Sequence, residues 1–327
     1  MSSWNQVLDE FNQQEGNTSA ETDQKRIGWL KANMAEALSE IRRLRSDRNV
    51  LLYGSAFLQK PEVPGYNIAI TSEDLNGLMA VIHGMDWSKG LAIILHTPGG
   101  QTNATETVVS YLRSKFTDIE VIVPAFAMSA GTMISLAADR VVMGRQSQLG
   151  PIDPQLALPS GLNISARAVT EQFDRAKADV LANQTAAHVW APILQSMGPS
   201  LLQEAQNALD YSERMVARWL AVGMFKAKGT AASAEGANVA KHFNDATTHK
   251  SHGRRIDREE ARAQGVLVED LESSQDLQEA VMTSYHLLTL LFSMTPNVKV
   301  LWSDAGSIWA KSWVGVSPPK PPTPGHS

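Results

Sequence analysis

Between residues 49 and 145 the chain alternates between short apolar runs and amphipathic segments. No other feature limits its possible folds as much. "VLLYGSAF" and "YNIAI" predict strands, and "TSEDLNGLMAVIHGM", opening on Thr, Ser and two acids, predicts a helix. "GLAIILHT" is an unbroken apolar run, the pattern of a strand covered on both faces. "NATETVVSYLRSKF" then predicts a helix, "IEVIVPAFA" a second buried strand, "SAGTMISLAA" a short helix and "DRVVMG" a strand. Strands and helices in turn, over short connections, build βαβ units. The expected class is α/β with a mostly parallel sheet.

Two junctions in this run carry unusual residues. The first leaves "GLAIIL" at His96 and passes through Pro98, Gly99 and Gly100 into a helix. The second, "VIVPAFAMSAGTMISLAAD", sets Ser129 among Met128, Ala130 and Gly131, with a helix starting at once. Open parallel sheets gather ligands at the carboxyl ends of their strands. A helix N-terminus there offers free N–H groups and a positive dipole end. If the junctions are neighbours, the N–H groups of Gly100 and Ala130 converge beside a serine hydroxyl, which is the make-up of an oxyanion hole next to a nucleophile. Gly99 and Gly100 supply special backbone angles and leave room for a peptide, so Gly99 is a substrate-binding candidate. Singly, each junction reads as a strand end or a helix cap. The pair, followed by "GRQSQLGPIDPQ", favours chemistry.

Composition narrows the function. A net charge of −5 and a pI near 5.9 argue against nucleic acid as a partner. The absence of cysteine excludes thiol nucleophiles, thiolate metal sites and disulfides. No G-x-x-x-x-G-K-[ST] is present, so no ATPase of that type is built in. "HKSH" lacks third and fourth ligands at useful spacing, and the expectation is no metal and no cofactor. The N-terminus lacks the pattern of a signal peptide. The apolar stretch "YHLLTLLFSMTPNVKVLW" is broken by Thr, Pro, Asn and Lys, short of the roughly 18 apolar residues of a membrane span. The chain is expected to be cytoplasmic, without membrane insertion.

Three regions are expected. Residues 1–48 form a helical arm: 1–20 polar and loosely held, 21–48 an amphipathic helix with Ile27, Leu30, Met34, Leu38, Ile41 and Leu44 on one face. That face packs on its own chain or on a second copy. Residues 49–295 form the main domain, with helices over 165–183, 200–221 and 275–293 and a Gly-rich, basic stretch from 223 to 258. Residues 296–327 form a tail, Pro-rich from 317.

"HTPGG", "AFAMSAGTMISLAAD" and "SQLGPIDPQL", with the later "GMF" and "HKSHGRRI", resemble the serine dehydrogenase proteinase family. That family is similar to signal peptide peptidase A and belongs to the wider ClpP/crotonase-fold group. The resemblance covers most of residues 50–290. It implies a ClpP/crotonase-like fold with an N-terminal helical arm and a mainly helical C-terminal extension. Ser129 would be the nucleophile, with Gly100 and Ala130 as the oxyanion hole. A protein or peptide substrate would add as a strand after Gly100, and the chains would form homo-oligomers. The activity so implied is ATP-independent serine endopeptidase. A crotonase-like acyl-transfer enzyme and a non-catalytic oligomeric scaffold are the alternatives.

The general base stays open between two residues. Signal-peptide-peptidase-like members place a lysine about 40–50 residues after the serine, where Lys177 stands, and a desolvated lysine serves as a base. His252 is the second candidate, since histidine titrates near neutral pH. ClpP-like members place a histidine about 25 residues after the serine, yet "GPIDPQL" holds none. Asp153 stands there instead. It is a substrate-binding candidate that would orient a base or bind the substrate backbone; the alternative is a residue that simply holds a turn before Pro154.

Overall fold

The computed structural model describes residues 4–158, 163–198 and 200–315. The Pro-rich tail lies outside them. The chain begins with helices α1 (Trp4–Asn12) and α2 (Ser19–Leu44), then strand β1 (Asn49–Ser55), a one-turn helix α3 (Gly65–Ile68) and α4 (Asp74–Ile82). There follow β2 (Leu91–His96), α5 (Thr102–Lys115), β3 (Ile119–Val123), β4 (Phe126–Ala127), α6 (Ala130–Ala137), β5 (Arg140–Met143) and β6 (Gln148–Leu149). A hairpin of β7 (Gln155–Ala157) and β8 (Asn163–Ser165) leads into α7 (Ala166–Ala182), α8 (Ala187–Met197), α9 (Leu201–Val222) and α10 (Ala232–Phe243). Short helices α11 (Ala246–His249) and α12 (Arg258–Ala263), strand β9 (Val268–Asp270), helix α13 (Gln275–Met294) and strands β10 (Asn297–Ser303) and β11 (Ile308–Ser312) complete it.

The central sheet has seven strands in the order β11-β10-β1-β2-β3-β5-β9. Strands β1, β2, β3, β5 and β9 run parallel, while β10 and β11 are antiparallel additions. Both faces are covered, which explains the unbroken apolar runs. Alternate residues Leu51, Tyr53, Ile93, Leu95 and Val121 face a core shared with α4, α5, α6 and α9. Val50, Leu52, Ala92, Ile94 and Ile122 face the opposite core, against α2 and α13. The apolar stripe of α2 is therefore buried within its own chain. Arg45, just after α2, fixes the far end of the sheet by bonding Glu120 of β3 at 2.8 Å and Glu269 of β9 at 2.6 Å.

Several sequence expectations are corrected. Residues 4–12, expected to be loosely held, form α1, because Val7 and Phe11, one turn apart, are both buried. "YNIAI" is not a strand: Gly65–Ile68 is one helical turn, and only Ile70 pairs, as a single bridge to Gly100. The sheet runs past the boundary expected at residue 295, because β10 pairs with β1 from Leu51–Ser303 to Ser55–Lys299. The Gly-rich stretch after 223 contains α10, whose Val239, Ala240 and Phe243 are buried. Among the described residues, no helix is long and apolar enough to cross a membrane.

Candidate active site

At the carboxyl rim of the sheet a second, short layer of pairings links distant parts of the chain. Ile70 bridges Gly100, Thr97 bridges Ala127, Ala127 pairs with Leu149, and Leu149 bridges Ile256. The two junctions therefore touch. The Thr97 N–H donates to the Phe126 carbonyl at 2.9 Å, and the Met128 N–H donates to the Thr97 carbonyl at 3.1 Å. A Cβ on Gly99, where φ is +104°, would lie 2.7 Å from both the Met128 carbonyl oxygen and Ser129 Cβ, and 3.1 Å from Ala130 N. Glycine is required at this contact on two grounds, space and a positive φ.

Ser129 stands at φ +51° and ψ −114°, outside the regions an L-residue ordinarily occupies. Such a conformation persists only where its surroundings hold it. Here α6 holds it from one side: the Met133 N–H donates to the Ser129 carbonyl at 3.0 Å. Thr132, on the same helix, donates to the Ala127 carbonyl at 2.8 Å and accepts from the Gly150 N–H at 2.9 Å. Although Ser129 precedes the helix, its hydroxyl makes no capping bond. A simple helix cap would have used that oxygen.

The Gly100 and Ala130 N–H groups donate to no other group among the described residues. Ile70 bonds the neighbours of Gly100, through Gly99 O at 2.8 Å and Gln101 N at 2.9 Å, and so leaves the amide of Gly100 itself free. A cleft of about 440 Å³ gathers Gly99, Gly100, Ser129, Asp153 and His252, with Met133 and Ile152 among its apolar walls.

His252 and Asp153 are brought together by the last link of the rim layer. Leu149 and Ile256 exchange two backbone hydrogen bonds of 2.9 Å, so the residues after one and before the other run side by side. His252 Nδ1 then lies 2.7 Å from Asp153 Oδ1. The Asp153 side chain is 1% exposed and that of His252 30%. A carboxylate only accepts, so the neutral ring carries its proton on Nδ1 and keeps a lone pair on Nε2. The second carboxylate oxygen accepts from Gln155 Nε2 at 2.8 Å. Gln155 escaped the sequence reading; its place two residues after Asp153, across Pro154, was the only signal available.

Lys177 is corrected. It is exposed on α7 and lines a different, apolar cleft with Phe173, Ala176, Trp190 and Leu194. It is absent from the residues around Ser129. An exposed ammonium lacks the desolvation on which a lysine base relies. Asp153 is more than a turn residue, because its carboxylate meets an imidazole. His96 faces away from the cleft, among the rings of Phe57, Phe126 and Tyr285, with both nitrogens unpartnered. Burial pushes its imidazole down to about 3.

One group among the described residues has the spacing of a metal site: His242, His249 and Glu260. Arg254 already supplies a cation there. Its guanidinium donates to both Glu260 oxygens at 2.7 and 2.9 Å and to His249 Nδ1 at 3.0 Å. His249 Nε2 donates to the His242 carbonyl at 2.7 Å. Both imidazole nitrogens of His249 are thus engaged, and the group fits an anchor for the His252 loop better than a metal centre. Burial lowers the His249 imidazole below the ordinary histidine value, so at neutral pH the ring is uncharged beside Arg254.

The profile of the ClpP-like SDH-type serine proteinases matches residues 30–225, more than half of the chain. The chain belongs to this family. Membership agrees with the mostly parallel α/β sheet. Among curated proteins, the chain is similar to two uncharacterized proteins of Methanocaldococcus jannaschii. MJ0137 is 32% identical over 145 residues, 44% of this chain and 46% of that protein. MJ1495 is 33% identical over 120 residues, 36% of this chain and 41% of that protein. The matches thus span less than half of either relative. Among solved structures, a mutant form of the membrane-bound stomatin-specific protease 1510-N is 25% identical, covering 37% of this chain and 58% of that one, with a TM-score of 0.27.

Proposed function

We propose that this ClpP-like SDH-type proteinase hydrolyses peptide bonds as an ATP-independent serine endopeptidase, with Ser129, His252 and Asp153 as its triad. The observation that carries the reading is the single cleft holding Ser129, Gly100 and His252, with Asp153 set behind the histidine. His252 Nε2 takes the Ser129 proton as Oγ attacks the scissile carbonyl carbon. The carbonyl oxygen becomes an oxyanion between the N–H groups of Gly100 and Ala130, whose lack of other partners supports this role. The imidazolium, stabilised by Asp153, gives the proton to the leaving amine as the C–N bond breaks. Water, deprotonated by the same ring, then attacks the acyl-enzyme. The carboxylic acid leaves, and the proton returns to Ser129.

The substrate is a protein or peptide, lying against Gly99 and the segment after Gly100. No cofactor or metal is needed for these steps. Assembly of several copies, in the manner that the ClpP/crotonase resemblance implies, belongs to the same reading. The test is hydrolysis of fluorescent casein by the wild type and by Ser129→Ala. Turnover by the first and its loss in the second is expected. Full turnover by Ser129→Ala would contradict the peptidase reading and favour a crotonase-like reaction, in which the fold's amide donors act without a serine nucleophile.

A further inference from the structure

Lys299 and Asp74 form an ion pair with both side chains fully buried. Lys299 Nζ lies 2.7 and 2.9 Å from the two Asp74 oxygens and donates to the Ala69 carbonyl at 2.6 Å. Asp74 Oδ2 also accepts from the Thr71 N–H at 2.9 Å and from the Tyr53 hydroxyl at 2.9 Å. Lys299, Asp74, Thr71 and Tyr53 do not line the catalytic cleft, whereas Ala69, whose carbonyl Lys299 holds, does. A buried pair is a poor source of net stability, because desolvation offsets the attraction, so its place in the core calls for another explanation.

Its position supplies one. The pair grips the residues on either side of Ile70: Ala69 by its carbonyl and Thr71 by its amide. Ile70 is the residue that holds the glycine turn, through Gly99 O at 2.8 Å and Gln101 N at 2.9 Å. A Cβ on Gly100 would strike the backbone of Ile70, so the two segments are in close contact there. Strand β10, α4 and the glycine turn are thus connected by an unbroken series of short hydrogen bonds. We propose that the Lys299–Asp74 pair, with Tyr53, is a positioning device that sets Ile70 and thereby aims the Gly100 N–H at the reacting carbonyl. This rests on the peptidase reading above. Lys299, Asp74 and Tyr53 are positioning residues, since they touch neither substrate nor Ser129.

The test measures phosphonylation of the full chain by a fluorophosphonate, whose oxygen occupies the same hole as the substrate oxyanion. The maximal rate and the half-saturating concentration are determined separately, across pH. Lys299→Met is expected to lower the maximal rate about 10- to 100-fold, less than the roughly 10²–10³ lost when an oxyanion donor is removed outright. The half-saturating concentration and the pH midpoint of labelling should stay as in wild type. Arg45→Met, which breaks a partly buried ion pair at the opposite end of the sheet, serves as the control and should leave the maximal rate near wild type. If Lys299→Met does not fold, Tyr53→Phe, which deletes one bond to Asp74, should give a several-fold loss of rate with the pH midpoint unmoved. A folded Lys299→Met, or failing that Tyr53→Phe, with the wild-type rate overturns the proposal. So does an Arg45→Met protein that loses as much rate for the same drop in melting temperature. An inert wild type would overturn the peptidase reading itself, and this inference with it.

Discussion

His252 Nδ1 lies 2.7 Å from Asp153 Oδ1, although 99 residues separate them in the chain. The bond orients the ring and fixes the tautomer that keeps a lone pair on Nε2, the atom proposed to act as the base. Asp153→Asn keeps the shape but presents an amide, which favours the wrong tautomer. The expected result is a loss of about 10⁴-fold in peptide hydrolysis with the fold intact, read from steady-state rates beside a circular dichroism spectrum.

Gly100 has no room for a side chain, because a Cβ there would strike the Ile70 backbone. Gly100→Ala must push the turn away from Ile70 and with it the amide proposed to face the oxyanion. Activity should fall at least about 100-fold. Stability should also fall, by about 1–3 kcal/mol, measured by urea denaturation. Retention of wild-type activity would remove Gly100 from the hole.

Acid should weaken the fold through His96. Burial holds its imidazole at about 3, whereas the unfolded chain takes up a proton near 6.5. Below pH 6.5 the unfolded state therefore binds more protons, and stability falls as pH falls, levelling off near pH 3. The slope is up to about 1.4 kcal/mol per pH unit from this residue. His249 and His286, whose imidazoles burial also lowers, act in the same direction. His96→Phe suits the surrounding rings and should recover about 2 kcal/mol of the loss between pH 6.5 and 5 in urea titrations. An unchanged pH dependence in that variant would contradict the assignment.

The parallel run from β1 to β5 and both of its chemical junctions were legible in the sequence, because apolar period and glycine position act locally. Ser129 could be found for that reason. The pairing of Asp153 with His252 could not. It depends on the two-residue contact of Leu149 with Ile256, which no periodicity signals. Strand β10 was hidden for a different reason. Its Lys299 reads as an interruption in an apolar stretch, yet the residue is buried because Asp74, 225 positions earlier, neutralises it. Lys177 had the right spacing from the serine, but spacing along a chain does not fix which way a helix faces.

The most direct measurement is the rate at which a fluorophosphonate labels wild type, Ser129→Ala, His252→Ala and Lys177→Ala, with the modified peptide identified by mass spectrometry. The account predicts modification of wild type at Ser129 and none of Ser129→Ala. It predicts labelling of His252→Ala slowed by at least about 10³-fold and of Lys177→Ala within about threefold of wild type. A wild type that stays unlabelled, or a His252→Ala protein that labels normally while Lys177→Ala does not, would contradict it.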